Sequence, residues 1–538
     1  MNTIYYNGSI ITMDTPDGAS AIQTAPEAVW VKNGLIFGSG KLADLEKKAG
    51  EKAKKIDLDG KCLMPSFIDP HSHVAMNGQL ALCADLGACE SFQDIIDTLK
   101  AYIKEKKIKS KGAVLGFGYD HNFLEEQAHP DKRVLDQVST EIPIFILHVS
   151  AHLGCVNSKA LELAGVTSDT PNPEGGIFGR LEDGKEPSGY LEEGGMMALQ
   201  AVVRKRMKIN IADMFRGMQK TYIEHGVTTV QDGATTPMDF NLLKFMEMTG
   251  MLKIDVVSYP LMTNTGVDLL HKNKNRVCKY KKHLKIGGYK LVLDGSPQGK
   301  SAWMSQPYEG EEEYCGYPWM KDEEVEENIR IALQENQQLL AHCNGDAASE
   351  QFLTLYEKVS KEVRHKQDLR PVMIHCQTVR DDQLDRMPAL GMIASVFVGH
   401  VFFWGDVHKK NFGEVRGNHV SPVKSALDRS ICVNFHQDTP VTKPDMMHSV
   451  WTAVNRISRT GQMIGEDQKI DVYEALKAVT INGAYQYFEE DSKGSIEPGK
   501  RADLVILDRS PLETDPMELR DIKVLETIKD GVSIYKRI

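Results

Sequence analysis

An α/β fold organised as a (β/α)8 barrel is what this sequence predicts, on three observations. Apolar runs of strand length recur eight times between residues 67 and 440. Helical patterns separate most of them. Histidine, lysine and aspartate stand in or just after the runs. Parallel strands covered on both faces read as nearly continuous apolar runs, and repeated strand–helix units argue for a barrel. A doubly wound sheet is the alternative architecture, but it does not need eight such units. At 538 residues the chain exceeds an ordinary domain, and a barrel with insertions can absorb most of it.

The first run is "FIDPHSHV" (67–74). Then come "GVTTVQDG" (226–233), "IDVVSYPLM" (254–262) and "IGGYKLVLDG" (286–295). "QLLAHCNG" (338–345), "PVMIHCQT" (371–378), "GMIASVFVGH" (391–400) and "ICVNFHQDTP" (431–440) complete the set. Segments such as "DEEVEENIRIALQEN" (322–336) and "SEQFLTLYEKVSKEVRH" (349–365) supply the intervening helices.

Both chain ends read as short β segments punctuated by glycine. "TIYYNGSIITM" and "EAVWVKNGLIFGSG", the latter with Asn33-Gly34 as a hairpin turn, open the chain; "GSIEPGKRADLVILD" and "VLETIKDGVSIYK" close it. They predict one β domain assembled from residues 1–64 and 488–538, leaving 65–487 for the barrel. Disordered tails would not carry a run such as Leu504-Val505-Ile506-Leu507.

Residues 80–205 form too long an interval for a strand-to-helix connection, which usually takes a few residues. They are expected to form an inserted subdomain with Gly- and Pro-rich turns such as "DTPNPEGGIFGRLEDGKEPSG" (169–189). Loops of this kind lie on the catalytic face of a barrel, so the insertion is expected to roof the site and shape substrate choice.

Composition narrows the class. Hydrophobic residues make up 41% and charged residues 26%, ordinary values for a globular protein. A net charge of −11 argues against a nucleic-acid partner, and the basic run "KNKNRVCKYKKHLK" (272–285) reads as a solvated helix or loop face. Nine scattered cysteines without a CxxC pair argue against a disulfide framework and for a reducing cytoplasm. No signal-peptide pattern or membrane-length apolar stretch is visible, so no membrane association is expected.

His71 and His73 stand two residues apart at the end of the first run. Side chains alternate along a strand, so both imidazoles point to one spot. Lys290 lies in the fourth run, His342 in the fifth, His375 in the sixth and Asp438 in the eighth. A buried charge or imidazole is costly unless paired or metal-bound. One such residue would be unremarkable; six at strand ends that a barrel gathers together predict a metal site.

"KCLMPSFIDPHSHV" resembles the opening of the metal-dependent amidohydrolase superfamily. "AHCNGDAA", "MIHCQTV", "FHQDTPV" and the closing "AVTINGAYQYF…GSIEPGKRADLVILD" follow in the same order. "KLVLDGS", "HLGCVNSKAL" and "PEGGIFGR" are similar to the YtcJ-like branch, also called amidohydrolase family 3, which includes N-substituted formamide deformylases. The resemblance covers essentially the whole chain. It implies a (β/α)8 barrel with a composite β-sandwich domain and one or two divalent ions, usually zinc, at the barrel mouth. By position, His71 and His73 would hold the more buried ion, and His342 and His375 the more exposed one. Lys290 matches a lysine that is carbamylated in many relatives and bridges two metals. Asp438 matches the strand-eight aspartate. The implied chemistry is hydrolysis of a C–N bond, with Asp438 taking a proton from metal-activated water and passing it to the leaving nitrogen.

Each role has a chemical reason. An ammonium cannot bind a cation, whereas carbamylation turns lysine into an oxygen donor, and burial lowers the lysine pKa so that free amine is available. The alternative for Lys290 is a salt bridge to Asp294, four residues on. The chain departs from its relatives at Ile374, where glutamate is common, and at Gln437, where serine is common. His436 shares the face of Asp438 and is a candidate to bind substrate or tune the base, with a structural hydrogen-bond donor as the equal alternative. Asp294 is also counted among candidate substrate contacts, as are Tyr119, Asp120, His121 and His152 in the insertion. Cys155 and Cys343 have no nucleophilic role, and Trp303, Trp319 and Trp404 are read as packing residues.

Three other functions compete. A deaminase of this superfamily carries an acid three residues after the strand-five histidine; here that position is Gly345, and Asp346 comes one later. A cyclic amide, carbamate or lactone is an alternative substrate. A non-catalytic regulatory relative would have eroded its ligands, and all six remain. The expected partner is a small-molecule substrate, and a homodimer is expected from how often enzymes form twofold assemblies.

Overall fold

Each of the eight apolar runs contains a strand in the computed structural model, which describes residues 2–15, 18–80, 82–121, 123–149, 153–173, 176–207 and 211–537. In chain order they are β1 (Phe67–Ile68), β2 (Val227–Thr235), β3 (Asp255–Pro260), β4 (Gly288–Val292), β5 (Gln338–Cys343), β6 (Val372–His375), β7 (Ile393–Val396) and β8 (Val433–Phe435). β1, β2 and β3 pair in parallel, and β4 through β8 pair in parallel in chain order. A parallel bridge between Leu261 and Lys290 joins β3 to β4. A short strand, Leu284–Ile286, also lies beside β3. Sequence neighbours are thus spatial neighbours, as strand–helix units require.

β-Branched residues are frequent in the second strand, VTTVQDGAT, whereas the fifth, QLLAHC, has none; what the strands share is burial at nearly every position. The helices between them are amphipathic. Asp322–Gln334 buries Val325, Ile329, Ala332 and Leu333, one stripe at helical spacing, and carries Asp322, Glu323 and Glu324 in its first turn, where the helix dipole favours negative charge. Asp346–Glu362 buries Phe352, Tyr356 and Val359 on its own inner face.

Strands from the two chain ends share one five-stranded sheet. Cys62–Pro65 runs antiparallel to Leu504–Leu507, with Leu504 opposite Pro65, and Val524–Lys529 and Val532–Lys536 complete that side. A four-stranded sheet carries the hairpin Ala28–Lys32 and Leu35–Gly40. Its turn is Asn33-Gly34 with φ of +52° and +82°, the left-handed pair that a two-residue hairpin needs. One apolar cluster draws on both sheets, including Tyr5, Val29, Val31, Leu63, Leu504, Ile506 and Ile528.

The chain divides into two units, residues 1–75 with 219–538, and residues 76–218. The second is wider than the 80–205 expected. It contains a six-stranded sheet in which Ala84–Asp85, Val114–Tyr119 and Ile144–His148 are parallel, followed by the antiparallel Leu153–Val156, Pro187–Glu192 and Gly176–Arg180.

Two local expectations are corrected. The basic run 272–285 is not a wholly solvated face: Arg276 is buried against Glu247 at 2.8 Å, and Lys285 is buried against Glu489 at 2.5 Å. Trp319 is 59% exposed rather than packed. All nine cysteines are free thiols, and among the described residues no helix is long and apolar enough to cross a membrane.

Candidate metal centre

Three ligand-type atoms converge where β1 and β8 end. His71 Nε2 lies 3.3 Å and His73 Nε2 3.2 Å from Asp438 Oδ1. The hydrogen bonds on the far side of each ring assign the protons. His71 Nδ1 is 2.6 Å from Gln231 Oε1, and His73 Nδ1 is 2.8 Å from the Gly233 carbonyl oxygen. Both partners accept, so both Nδ1 atoms donate and both Nε2 atoms present lone pairs toward Asp438. Gln231 is oriented in turn, because its amide nitrogen donates to the Pro70 carbonyl at 2.6 Å. Lone pairs from two imidazoles and a carboxylate at this spacing repel unless a cation sits among them. Ligands 2.0–2.1 Å from a tetrahedral ion lie about 3.4 Å from one another. The three atoms therefore fit a divalent metal.

The backbone is shaped for this convergence. A Cβ at Gly233 would come within 2.8 Å of His71 Cε1, so glycine makes room for the ring. His375 (φ +72°) and Asp438 (φ +53°) adopt left-handed conformations that L-residues rarely hold, a form of strain that clusters at functional sites.

His342 and His375 lie beside this group, outside the three-atom set. Their ring centroids are 4.4 Å apart, and His375 is 5.5 Å from His71. His342 Nδ1 donates to Asp294 Oδ1 at 3.0 Å, and its Nε2 lies 3.4 Å from the Asn344 side-chain nitrogen. His375 Nδ1 is 3.2 Å from His436 Nε2, and His436 Nδ1 is 3.0 Å from Ser395 Oγ. If His436 donates to Ser395, its Nε2 accepts from His375, whose own Nε2 is then free to bind a metal. Burial lowers the His436 pKa to about 3 and holds His71 and His375 well below the ordinary imidazole range, so all three are neutral, as ligands must be.

Lys290 is buried, and its Nζ has no hydrogen-bond partner. Burial lowers its pKa to about 7, and it lies within electrostatic reach of Asp438 and His71. The alternative for Lys290, a pair with Asp294, does not form. Asp294 instead accepts from His342 Nδ1 and from the backbone N–H groups of Trp303 (3.1 Å), Asn344 (3.0 Å) and Gly345 (2.6 Å). It is a positioning residue for His342 and has no lone pair left for a substrate. His436 is likewise wholly buried and holds His375.

In the inserted unit, Tyr119 is fully buried. Its hydroxyl meets His129 Nδ1 at 3.0 Å and Cys155 Sγ at 3.2 Å, so it faces the interior of that unit. Asp120 and His121 come together with His148. His152 lies outside the described residues. Cys155 and Cys343 are buried thiols whose pKa values burial raises, the former to about 12, which suits inert packing.

Several residues of the site escaped the sequence reading. Gln231 is the clearest: an amide inside the apolar run "GVTTVQDG" is the same signal that exposed the histidines. Ser395 follows the same rule in "GMIASVFVGH". In the inserted unit the same signal marks His148, which ends the run "IFILH".

Comparison with known proteins agrees with the geometry. Residues 54–535 match the amidohydrolase family. The chain is 27% identical to an N-substituted formamide deformylase of Arthrobacter pascens, over 99% of this chain and 98% of that one. It is 26% identical to YtcJ of Bacillus subtilis, whose name carries the amidohydrolase assignment, over 100% of both. A crystal structure of an uncharacterized metal-dependent hydrolase from Pyrococcus horikoshii superposes with a TM-score of 0.75 at 24% identity, covering 96% of this chain and 99% of that one; this likeness speaks to the fold.

Proposed function

On the premise that this chain belongs to the amidohydrolase family, we propose that it is a metal-dependent hydrolase that cleaves a C–N bond of an amide or N-substituted formamide. The observation that carries the reading is the convergence of His71 Nε2, His73 Nε2 and Asp438 Oδ1 at 3.2–3.3 Å. In this reading β1 to β8 close into a (β/α)8 barrel, residues 1–64 and 488–538 form a composite β-sandwich, and one or two zinc ions are held. His71, His73 and Asp438 hold the first ion, and His342 and His375 belong to the second. Lys290 supports a bridging role because it is a buried, unpartnered amine that loses its proton near neutral pH, the form that reacts with CO₂. A divalent ion bound here supplies Lewis acidity and acidifies water to near neutrality.

The protein's own share is proton transfer and orientation. Burial alone would raise the Asp438 pKa. The imidazoles of His73, His71 and His375 packed around it outweigh that and hold its carboxyl well below the usual range. Asp438 is therefore an anion able to take a proton at neutral pH and return it to the leaving nitrogen. Gln231, Gly233, Asp294 and His436 keep the imidazoles in the metal-binding tautomer.

Asp346 weighs against the deaminase reading. Its carboxylate accepts from the Ser305 backbone and hydroxyl and pairs with Arg380 at 2.9 Å, so it is engaged away from proton transfer. The relative's named activity makes N-substituted formamides the first substrates to test. Cyclic amides, carbamates and lactones remain the second reading. Formate release from N-alkyl and N-aryl formamides by the zinc-loaded chain is the measurement. Asp438→Asn is expected to lower turnover by about 10²–10⁴-fold. Near-normal turnover in that variant would remove Asp438 from the mechanism, and cleavage of lactones or cyclic amides alone would replace the substrate class.

A further inference from the structure

We propose that the inserted unit carries a cation site of its own, built from Asp120 Oδ1, His121 Nδ1 and His148 Nε2 and suited to a divalent transition metal. It uses none of the residues assigned to the hydrolytic centre.

The site follows from strand ends. Val114–Tyr119 and Ile144–His148 are parallel neighbours, and a register shift between Leu147 and His148 sets His148 opposite Tyr119. Asp120 and His121 continue directly from the end of the first strand, so the three side chains issue from the carboxyl ends of two adjacent parallel strands. Crevices at such ends are where α/β sheets place ligands.

The three ligand-type atoms lie within reach of one ion, and the two ring nitrogens among them are also at hydrogen-bond distance from each other. His121 Nδ1 is 3.2 Å from His148 Nε2, and Asp120 Oδ1 is 3.5 Å from His148 Nε2 and 3.8 Å from His121 Nδ1. An N–H···O bond to a carboxylate would close to about 2.7–2.9 Å. Ligands of a tetrahedral ion with bonds of 2.0–2.1 Å are instead separated by about 3.4 Å. The three distances bracket that value, as the 3.2 and 3.3 Å separations at the first centre lie just under it.

A second layer fixes the rings. His129 stacks on His121 with centroids 4.0 Å apart and an interplanar angle of 24°. Tyr119 holds His129 in place through its hydroxyl, 3.0 Å from His129 Nδ1. The cluster is open enough for an ion to enter, since the His121 side chain is 29% exposed, and sheltered enough to hold it, since His148 is 7% exposed. Two imidazoles and one carboxylate suit zinc, iron, cobalt or nickel rather than calcium or magnesium. Three protein ligands leave coordination positions for water or a small anion.

The test uses the full-length chain and zinc chloride alone, with equilibrium dialysis followed by elemental analysis. Asp120→Asn keeps the shape of the side chain, and His148→Ala removes a ligand outright. Each is expected to bind one zinc fewer per chain than wild type, or to bind that ion at least tenfold more weakly, with an unchanged far-UV spectrum. Combining Asp120→Asn with His73→Ala should produce additive losses, which separates this site from the hydrolytic centre. If Asp120→Asn retains the wild-type number of ions at the wild-type affinity, the proposal is overturned whether or not His148→Ala folds. Because the readout is an ion count, failure to hydrolyse formamides would not bear on it.

Discussion

Lys285 and Lys290 stand five residues apart and are both buried, yet the fold treats them in opposite ways. Lys285 Nζ donates to the Tyr487 carbonyl at 2.9 Å and meets Glu489 at 2.5 Å. Its neighbourhood continues through Lys493, which pairs with Glu489 at 2.8 Å and Asp255 at 2.6 Å, and through Lys529, which pairs with Asp255 at 2.7 Å and Asp503 at 2.6 Å. Every charge there faces an opposite one. Lys290 has no partner, and three lone-pair atoms near it face one another. Asp255 is the first residue of β3, whereas His342, His375 and Asp438 lie at or beyond the ends of their strands. The paired cluster therefore occupies the amino ends and the unpaired one the carboxyl ends. A buried ion network that is complete holds the fold together; a cluster of lone pairs facing one another fits a cation. Crevices at the carboxyl ends of parallel strands are where α/β sheets place ligands, and that is the end the unpaired cluster occupies.

The largest way to break this contrast is Asp255→Asn. It leaves Lys493 and Lys529 buried without their shared carboxylate, and removing one partner of such a group costs about 3–5 kcal/mol. Chemical denaturation is expected to show that loss, while zinc content per folded chain stays at the wild-type level. A variant within about 1 kcal/mol of wild type would mean that the network is not load-carrying. The pH dependence has a definite sign. Burial alone would raise the Asp255 pKa; Lys493 and Lys529 outweigh it and hold the carboxyl well below its ordinary range. A depressed carboxylate pKa contributes stability above its unfolded value, about 3.9, and loses it as pH falls through the folded value. Lys493 behaves in the opposite sense. Burial opposes its charge, but Asp255 and Glu489 raise its pKa, so its contribution is complete below the unfolded value, about 10.4, and is lost above it. The wild-type chain should thus lose stability below about pH 4, and Asp255→Asn should flatten that acid limb.

Much of this was legible in the sequence, for a physical reason. Eight buried parallel strands need apolar runs, and a polar residue inside such a run needs a purpose, so His71, His73, Lys290, His342, His375 and Asp438 announced themselves. The amino-end cluster did not. Lys285 closes a strongly basic stretch and looks solvated until Glu489, some two hundred residues later, is brought against it. Glu489 and Lys493 sit in a polar stretch, "FEEDSKGS", with no apolar context to betray their burial. Asp294 misled for a related reason. Its spacing from Lys290 suited a pair, but the chain folds back so that Asn344 and Gly345 offer it backbone N–H groups, and a close approach at Gly345, where a Cβ would fall 1.8 Å from the Trp303 oxygen, cannot be read from local pattern.

A smaller effect separates holding a ligand from being one. Gln231→Leu removes the acceptor for His71 Nδ1–H but leaves all the metal ligands in place. Outer partners of this kind are worth about 10–100-fold in metal affinity or activity. Zinc titration of the variant is expected to show that weakening, with the stability of the metal-free chain less affected than in Asp255→Asn. An unchanged affinity would mean that backbone geometry alone, through Gly233 and the strained Asp438, fixes the His71 ring.

The smallest effect tests the sign of the comparison. Lys290→Met keeps a similar side-chain volume and removes a buried nitrogen that has no partner. Burying a polar group without a hydrogen bond costs about 1–3 kcal/mol in proteins, and some of the gain is lost to imperfect packing of the thioether. In zinc-free, bicarbonate-depleted buffer the variant is therefore expected to be more stable than wild type by about 1–2 kcal/mol. The same exchange at Lys285 should do the reverse, because it strips Glu489 of one of its two buried counter-charges. If both lysine variants lose stability, Lys290 has a partner in the folded protein and the contrast between the two ends of the strands fails. If they move in opposite directions, the stability cost of the unpaired amine has been measured directly, and the contrast between the two ends of the strands stands.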